Sequence, residues 1–167
     1  INGNTKHGIY LYTDKGLAIE GEYNYSGNRI ADNELDGIHV EYAHTSAKLL
    51  NSKFADNDIY RNGRHGLNFV SGNLVNVDIM DNRLWNNGRT EVGDAIAGAA
   101  DMVKCGITGN KIRDTQDTAT QRYPVNLSGA LTDTDISFNH CVGNAQNTLN
   151  LTGTQTRVTT INNPGIA

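Results

Sequence analysis

The sequence predicts an all-β chain wound into a right-handed parallel β-helix of about five to six coils, with three strands per coil. Three observations lead there. Short apolar stretches at residues 8–11, 37–40, 66–69, 95–98 and 124–127 recur every 29 positions, and a weaker copy at 148–151 follows after 24. A fixed period of this size marks a repeat architecture. Within each stretch the apolar residues sit two apart, which is strand alternation and not helix spacing. Finally, Asn28, Asn57, Asn82, Asn110, Asn139 and Asn163 recur once per repeat. Stacked coils lie about 4.8 Å apart, so equivalent residues form columns. An Asn in such a column tolerates a left-handed turn and hydrogen-bonds its neighbours.

The elements follow in order. The first strand of each coil carries the 29-residue motif. The second is marked by Tyr25, Phe54, Ile79, Ile107, Ile136 and Thr160, each three residues before a ladder Asn. The third holds Ile30, Ile59, Leu84, Ile112 and Cys141, each two residues after one. The spacing between strands shifts along the chain, which places exposed loops at residues 86–93 and 113–123. Loops on a rigid scaffold are where binding usually resides. Residues 157–165 read as a partial coil stopped by Pro164 and Gly165. No amphipathic helix precedes the first coil, and solenoids need caps. The expectation is one β-helix domain over residues 1–167, either the C-terminal part of a longer β-helix that lacks its N-terminal portion here, or a homo-oligomer such as a trimer.

Composition narrows the class. Hydrophobic residues make up only 37% of the 167 positions, while Gly (18) and Asn (22) are abundant. Periodic placement makes these turns of a solenoid and not disorder. A net charge of −4 without a basic run argues against nucleic acid. The apolar runs are too short to cross a bilayer, so no membrane partner is expected. Cys105 and Cys141 fall at different points of their repeats and read as buried thiols. No zinc spacing, phosphate loop or nucleophile elbow is present. No cofactor is therefore expected, with Ca²⁺ the one ion left open.

Chemistry concentrates around the first strand. The column just before it reads His7, Asp36, His65, Asp94, Tyr123. Asp36 and Asp94 would lie two coils apart, roughly 9 to 10 Å, near the upper limit for an inverting glycosidase. His65 between the acids is a candidate general base with a raised pKa. The outward residues Tyr10, Tyr12, His39 and Glu41, with Tyr42 and His44 beyond, form an aromatic and titratable patch on the first two coils suited to a sugar ring, and Asn68 follows at the outward position of the third. Arg64 and Arg122, each beside the column, could pair with an acidic sugar's carboxylate. Residues 95–100 are small and flat, either a groove floor or a subunit interface. The alternative throughout is a solvated solenoid face whose polar residues only bond the backbone.

The stretch Asn33-Glu34-Leu35-Asp36-Gly37-Ile38-His39-Val40-Glu41-Tyr42, followed by Arg64-His65-Gly66-Leu67-Asn68-Phe69-Val70, resembles the catalytic β-helix of secreted mannuronan C5-epimerases. These belong with the broader pectate-lyase-like superfamily. The resemblance spans roughly residues 5 to 100. It implies proton abstraction at C5 of a uronate, followed by epimerisation or elimination. It also implies Asp36 and Glu41 as acidic site residues, Arg64 on the substrate carboxylate and His65 in the cleft. The family's Tyr-Gly-Phe-Asp-Pro-His motif aligns with residues 7–12, where Tyr10 and Tyr12 stand in place of its Asp and His. A Tyr can serve as acid or base in an elimination. Phage tailspikes and capsule depolymerases, commonly trimeric, are similar in their Asn-rich coils.

The sequence thus leads to a lyase- or epimerase-type enzyme acting on an acidic polysaccharide, extracellular or on a virion surface. Catalysis would fall to Tyr10, Tyr12, His65, Asp36 and Glu41. Binding would fall to Arg64, His39, Asn68, Tyr42, Asp94 and Arg122. The alternatives are a non-catalytic glycan-binding or structural module of a tailspike or cell-surface protein, and an inverting hydrolase using Asp36 and Asp94.

Overall fold

A computed structural model describes residues 1–16, 18–19 and 22–166, with residues 18 and 19 described through the backbone alone. Among these residues every strand pair is parallel, and the chain is a β-solenoid with three faces. The first face stacks Ile9–Thr13, Ile38–Tyr42, Leu67–Ser71, Ile96–Gly98, Val125–Leu127 and Leu149–Leu151. The third stacks Arg29–Ala31, Asp58–Tyr60, Arg83–Trp85, Lys111–Arg113 and His140–Val142. The solenoid makes about four turns, slightly fewer than the five to six coils expected. The expectation counted the end coils, which stack on one side only.

The 29-residue motif sets the register of the first face. Ile9 pairs with Ile38, Ile38 with Leu67, Leu67 with Ile96 and Ile96 with Val125. Alternation then points Ile38, Val40, Leu67, Phe69, Ile96 and Val125 inward, and none of them retains solvent exposure. Each such side chain contributes roughly 1.5–3 kcal/mol of burial. The stretch opens with Gly8, Gly37 and Gly66 for a steric reason. A Cβ there would lie 2.6–2.7 Å from the next coil's backbone oxygen, at Gly37, Gly66 or Ala95. One irregularity interrupts the outward column: Val40 pairs with Phe69 but Glu41 with Ser71. Val70 is the extra residue of a bulge and does not stack on Glu41.

The second face is where three strands per coil becomes an approximation. Lys48–Ala55 and Asn73–Met80 run unbroken, whereas later coils split it, as in Asp101–Val103 and Gly106–Thr108. Positive φ stacks at one position throughout, in Asn51, Asn76, Lys104, Asp133 and Arg157. This bends the face in every coil.

The Asn ladder joins the second and third faces. The side-chain oxygen of each Asn accepts from the backbone N–H and the side-chain amide of the Asn one coil before, from Asn28 through to Asn163. Its own amide also donates to a strand carbonyl, as Asn82 does to Phe54 at 2.9 Å. The left-handed turn, however, belongs to the residue before each ladder Asn: Gly27, Asp56, Asp81, Gly109, Phe138 and Asn162 all have positive φ. The Asn is retained for its amide, which no hydrocarbon side chain replaces. Cys105 and Cys141 are free and buried, and burial pushes their thiols up to about 11 and about 12.

Candidate functional site

The column before the first strand builds two copies of one charge network. In the first, Asp36 has no exposed surface. Its carboxylate accepts two hydrogen bonds from Arg64, Nε at 2.9 Å and Nη2 at 2.7 Å. It also accepts the backbone N–H of His65 at 3.1 Å and the Asn68 amide at 3.0 Å. His39 Nδ1 lies 2.6 Å from Oδ2. Burial alone would push the Asp36 carboxyl up. The hydrogen bonds from Arg64, His39 and Asn68 outweigh it and hold the group well below its ordinary 3.8. Arg64 in turn is raised by that bond.

The second copy lies 58 positions further on (65 − 7, 94 − 36, 122 − 64 and 126 − 68). Asp94 is equally buried. It accepts from Arg122 Nε at 3.0 Å and Nη2 at 2.9 Å, from the Tyr123 backbone N–H at 3.0 Å and from the Asn126 amide at 2.7 Å. The Asp94 backbone N–H donates to His65 Nδ1 at 2.9 Å, as that of Asp36 does to His7 Nδ1 at 3.3 Å. One position differs in kind. Where His39 stands over Asp36, Ala97 stands at the equivalent place, since His39 and Ala97 both pair with Asn68 across the strands between them.

Above the first network lies a chain of titratable groups. The Tyr10 hydroxyl donates to Glu41 Oε2 at 2.7 Å, and that oxygen is 3.7 Å from His39 Nε2. Tyr10 is half exposed, and the bond to Glu41 pushes its pKa up to about 12. His39 sits against the rings of His7, with centroids 4.0 Å apart, and Tyr10, at 5.3 Å. An open groove of about 480 Å³ runs from His39 and Glu41 past Arg64 and His65 to a floor at Ala97, Gly98 and Ala99, with Arg122 beyond.

The site residues expected from the sequence divide accordingly. His39, Glu41, Arg64, His65, Asn68, Asp94 and Arg122 line this groove, Tyr10 reaches it through Glu41, and Asp36 lies beneath. Tyr12 is exposed beside Tyr10. Tyr42 is a correction: it points inward from its strand, belongs to the core, and burial lifts its pKa to about 12. His65 is a second. Its pKa is lowered, not raised, because burial outweighs the pull of Asp36 and Asp94. Its Nδ1 is occupied by a backbone N–H, which leaves the proton on Nε2. The two arginines do not stand free for a ligand, since each already clasps a carboxylate through Nε and Nη2; only Nη1 is unused by the Asp.

The loops expected at 86–93 and 113–123 are only partly exposed. Asp114 is buried and organises the second, accepting from the backbone N–H groups of Gln116, Thr120 and Gln121 at 2.8–2.9 Å. Gln121 belongs to a second amide ladder that the sequence reading missed: Asn4, Asn33, Asn62, Asn87, Gln121 and Asn144. It underlies the site column, three residues before His7, Asp36 and His65.

His7, Asp36 and His39 have ligand atoms close enough to share an ion. They fit calcium poorly, which takes six to eight oxygens. Two of the three donors here are nitrogen, and the Arg64 guanidinium already sits on the same carboxylate oxygen.

Comparison of the chain with family models, curated proteins and solved structures finds no match. The reading of the site therefore rests on its own geometry.

Proposed function

We propose that the first-face groove acts on an acidic, uronate-bearing polysaccharide by lyase- or epimerase-type proton transfer. The observation that carries this reading is the 2.6 Å contact between His39 Nδ1 and the buried Asp36 carboxylate. A carboxylate on Nδ1 fixes that nitrogen as the donor. Nε2 is then the acceptor, free to take a proton from carbon, and Asp36 stabilises the imidazolium that forms. Tyr10 is the complementary acid: with a pKa of about 12 it keeps its proton at neutral pH. In elimination, His39 removes the C5 proton, the C4–O bond breaks, and Tyr10 protonates the departing oxygen. In epimerisation the C4–O bond stays intact, a solvent water gives a proton to C5 on the opposite face, and the hydroxide left takes up the proton held by His39. Arg64 Nη1, the one nitrogen of that fork that Asp36 leaves unused, would hold the uronate carboxylate.

Hydrolysis by Asp36 and Asp94 has no such support, because both carboxylates are buried and each is already clasped by an arginine. Non-catalytic glycan binding is the second reading. It is favoured by the far end of the groove, where Ala97 stands over Asp94 in the place that His39 takes over Asp36. Either reading suits an extracellular or virion-surface polymer.

Incubation with alginate and with polygalacturonate tests the proposal. The expected result is an unsaturated uronate end, seen by ultraviolet absorbance, or C5 inversion seen by NMR. His39→Ala and Tyr10→Phe should each lower turnover by at least about a hundredfold with the melting temperature nearly unchanged for Tyr10→Phe. Binding without either product would leave the second reading standing, and absence of binding would remove both.

A further inference from the structure

The third face carries a cluster of cationic side chains away from the groove. One of its outward columns reads Arg29, Asp58, Arg83, Lys111, His140, and the adjacent column centres on Tyr60, Trp85 and Arg113. With Arg61 and Arg89 beside them, six cations face two acids, Asp32 and Asp58, on a chain whose net charge is −4. The rest of the chain carries eight cations against sixteen acids (14 − 6 and 18 − 2).

The cations are held in place. Tyr60 and Trp85 stack on each other, with centroids 4.5 Å apart and planes within 14°. Arg29 and Arg61 lie over Tyr60 at 5.3 and 5.1 Å, and Arg83 and Arg113 lie near Trp85 at 5.9 and 5.8 Å. A guanidinium fixed by an aromatic ring loses less freedom when it takes an anion.

The face also indicates which anion fits. Arg61 and Arg83 each have a carboxylate from the coil before: Asp32 takes Arg61 through Nε and Nη2, and Asp58 takes Arg83 likewise, together with the Trp85 indole N–H at 2.9 Å. One coil further the supply stops. Lys111 and Arg113 are exposed and enter no ion pair among the described residues. With Arg83 and His140 they surround a concavity of about 270 Å³. The residue stacked before Lys111, as Asp58 is stacked before Arg83, is Arg83 itself, so cation follows cation where the coil before supplied an acid. Rungs repeat every ~4.8 Å along the axis, close to the length of one sugar unit.

We propose that the third face, centred on Lys111 and Arg113 and backed by the Tyr60–Trp85 stack, binds a carboxylate-bearing polysaccharide lying along the solenoid axis. A single-stranded nucleic acid is the weaker fit, since it needs free aromatic faces for its bases, and here the two rings cover each other. The proposal does not depend on turnover at the first face.

Isothermal titration of the full chain at low salt tests it, with polygalacturonate, dextran sulfate, neutral dextran and single-stranded oligothymidylate as probes. Polygalacturonate should bind most tightly, neutral dextran should not bind, and added salt should weaken the complex. The double variant K111E/R113E should lose at least about tenfold in affinity for polygalacturonate. Both residues are exposed, and K111A/R113A serves if charge reversal disturbs folding; it should lose affinity in the same direction. An unchanged affinity in both variants, no binding of polygalacturonate, or tighter binding of dextran sulfate or oligothymidylate would each overturn the assignment.

Discussion

Asp36 and Asp94 are held by the same kinds of partner, two coils apart, yet they look out on different surroundings. Each has its bidentate arginine, its backbone N–H and its asparagine amide. Over Asp36 stands an imidazole, linked onward to Glu41 and Tyr10; over Asp94 stands a methyl group. The buried ion pair is thus scaffold, repeated at the two positions of the column that carry Asp. What distinguishes the two ends of the groove is one outward side chain on the next strand, His39 against Ala97. A carboxylate in a column of this kind signals chemistry only when the outward neighbour can use it.

The comparison can be broken first through the arginines. Arg64→Ala leaves Asp36 buried with its main counter-charge gone, and should cost about 3–5 kcal/mol in urea unfolding. Arg122→Ala should cost less, because Arg122 is 39% exposed against 29% for Arg64, and water screens the pair it leaves. Equal losses would show that exposure does not separate the two networks. A smaller effect is expected from Ala97→His. It supplies over Asp94 the donor that His39 supplies over Asp36, and should add roughly 1–2 kcal/mol to stability. It should also fill the groove floor and weaken binding of uronate oligomers, read by titration. An unaltered melting temperature together with unaltered binding would mean that the two positions are not equivalent.

The smallest effect is that of acid. His7 and His65 are both lowered from 6.5 by burial first, so the unfolded chain takes up protons before the folded one does. Stability should therefore begin to fall as pH drops below about 6.5. Asp36 is held below 3.8, which gives a second loss of the same sign once pH passes under 3.8. Urea midpoints measured from pH 8 to pH 3 check this, and His65→Asn should flatten the first phase. A midpoint that rises on acidification would contradict the neutral state assigned to both histidines.

Much of the fold was legible because a solenoid writes its register into the sequence. The residues spaced by 29 are the ones that pair, and the ladder from Asn28 to Asn163 needs only one letter to be seen. The ladder from Asn4 to Asn144 was not legible. Its steps run 29, 29, 25, 34 and 23 residues, and one rung is Gln121 in place of Asn. The column His7, Asp36, His65, Asp94, Tyr123 was visible as a column, but its chemistry was not. Nothing in the letters shows that Arg64 turns back onto Asp36, nor that a backbone N–H occupies His65 Nδ1. Tyr42 was misplaced by one residue of alternation, since only every second side chain of a strand faces out. His39, read as a binding residue, carries the contact on which the acid–base reading rests.

The 58-residue offset between the two charge networks has a practical meaning for anyone wishing to shorten or lengthen this protein. Because every partner of Asp94 is a displaced copy of a partner of Asp36, a cut from Gly37 to Asp94, or a tandem insertion of the same span, would meet its neighbours with matching hydrogen-bond donors and a matching hydrophobic seam. Length becomes adjustable in double-coil cassettes, and each added cassette brings its own carboxylate clasp.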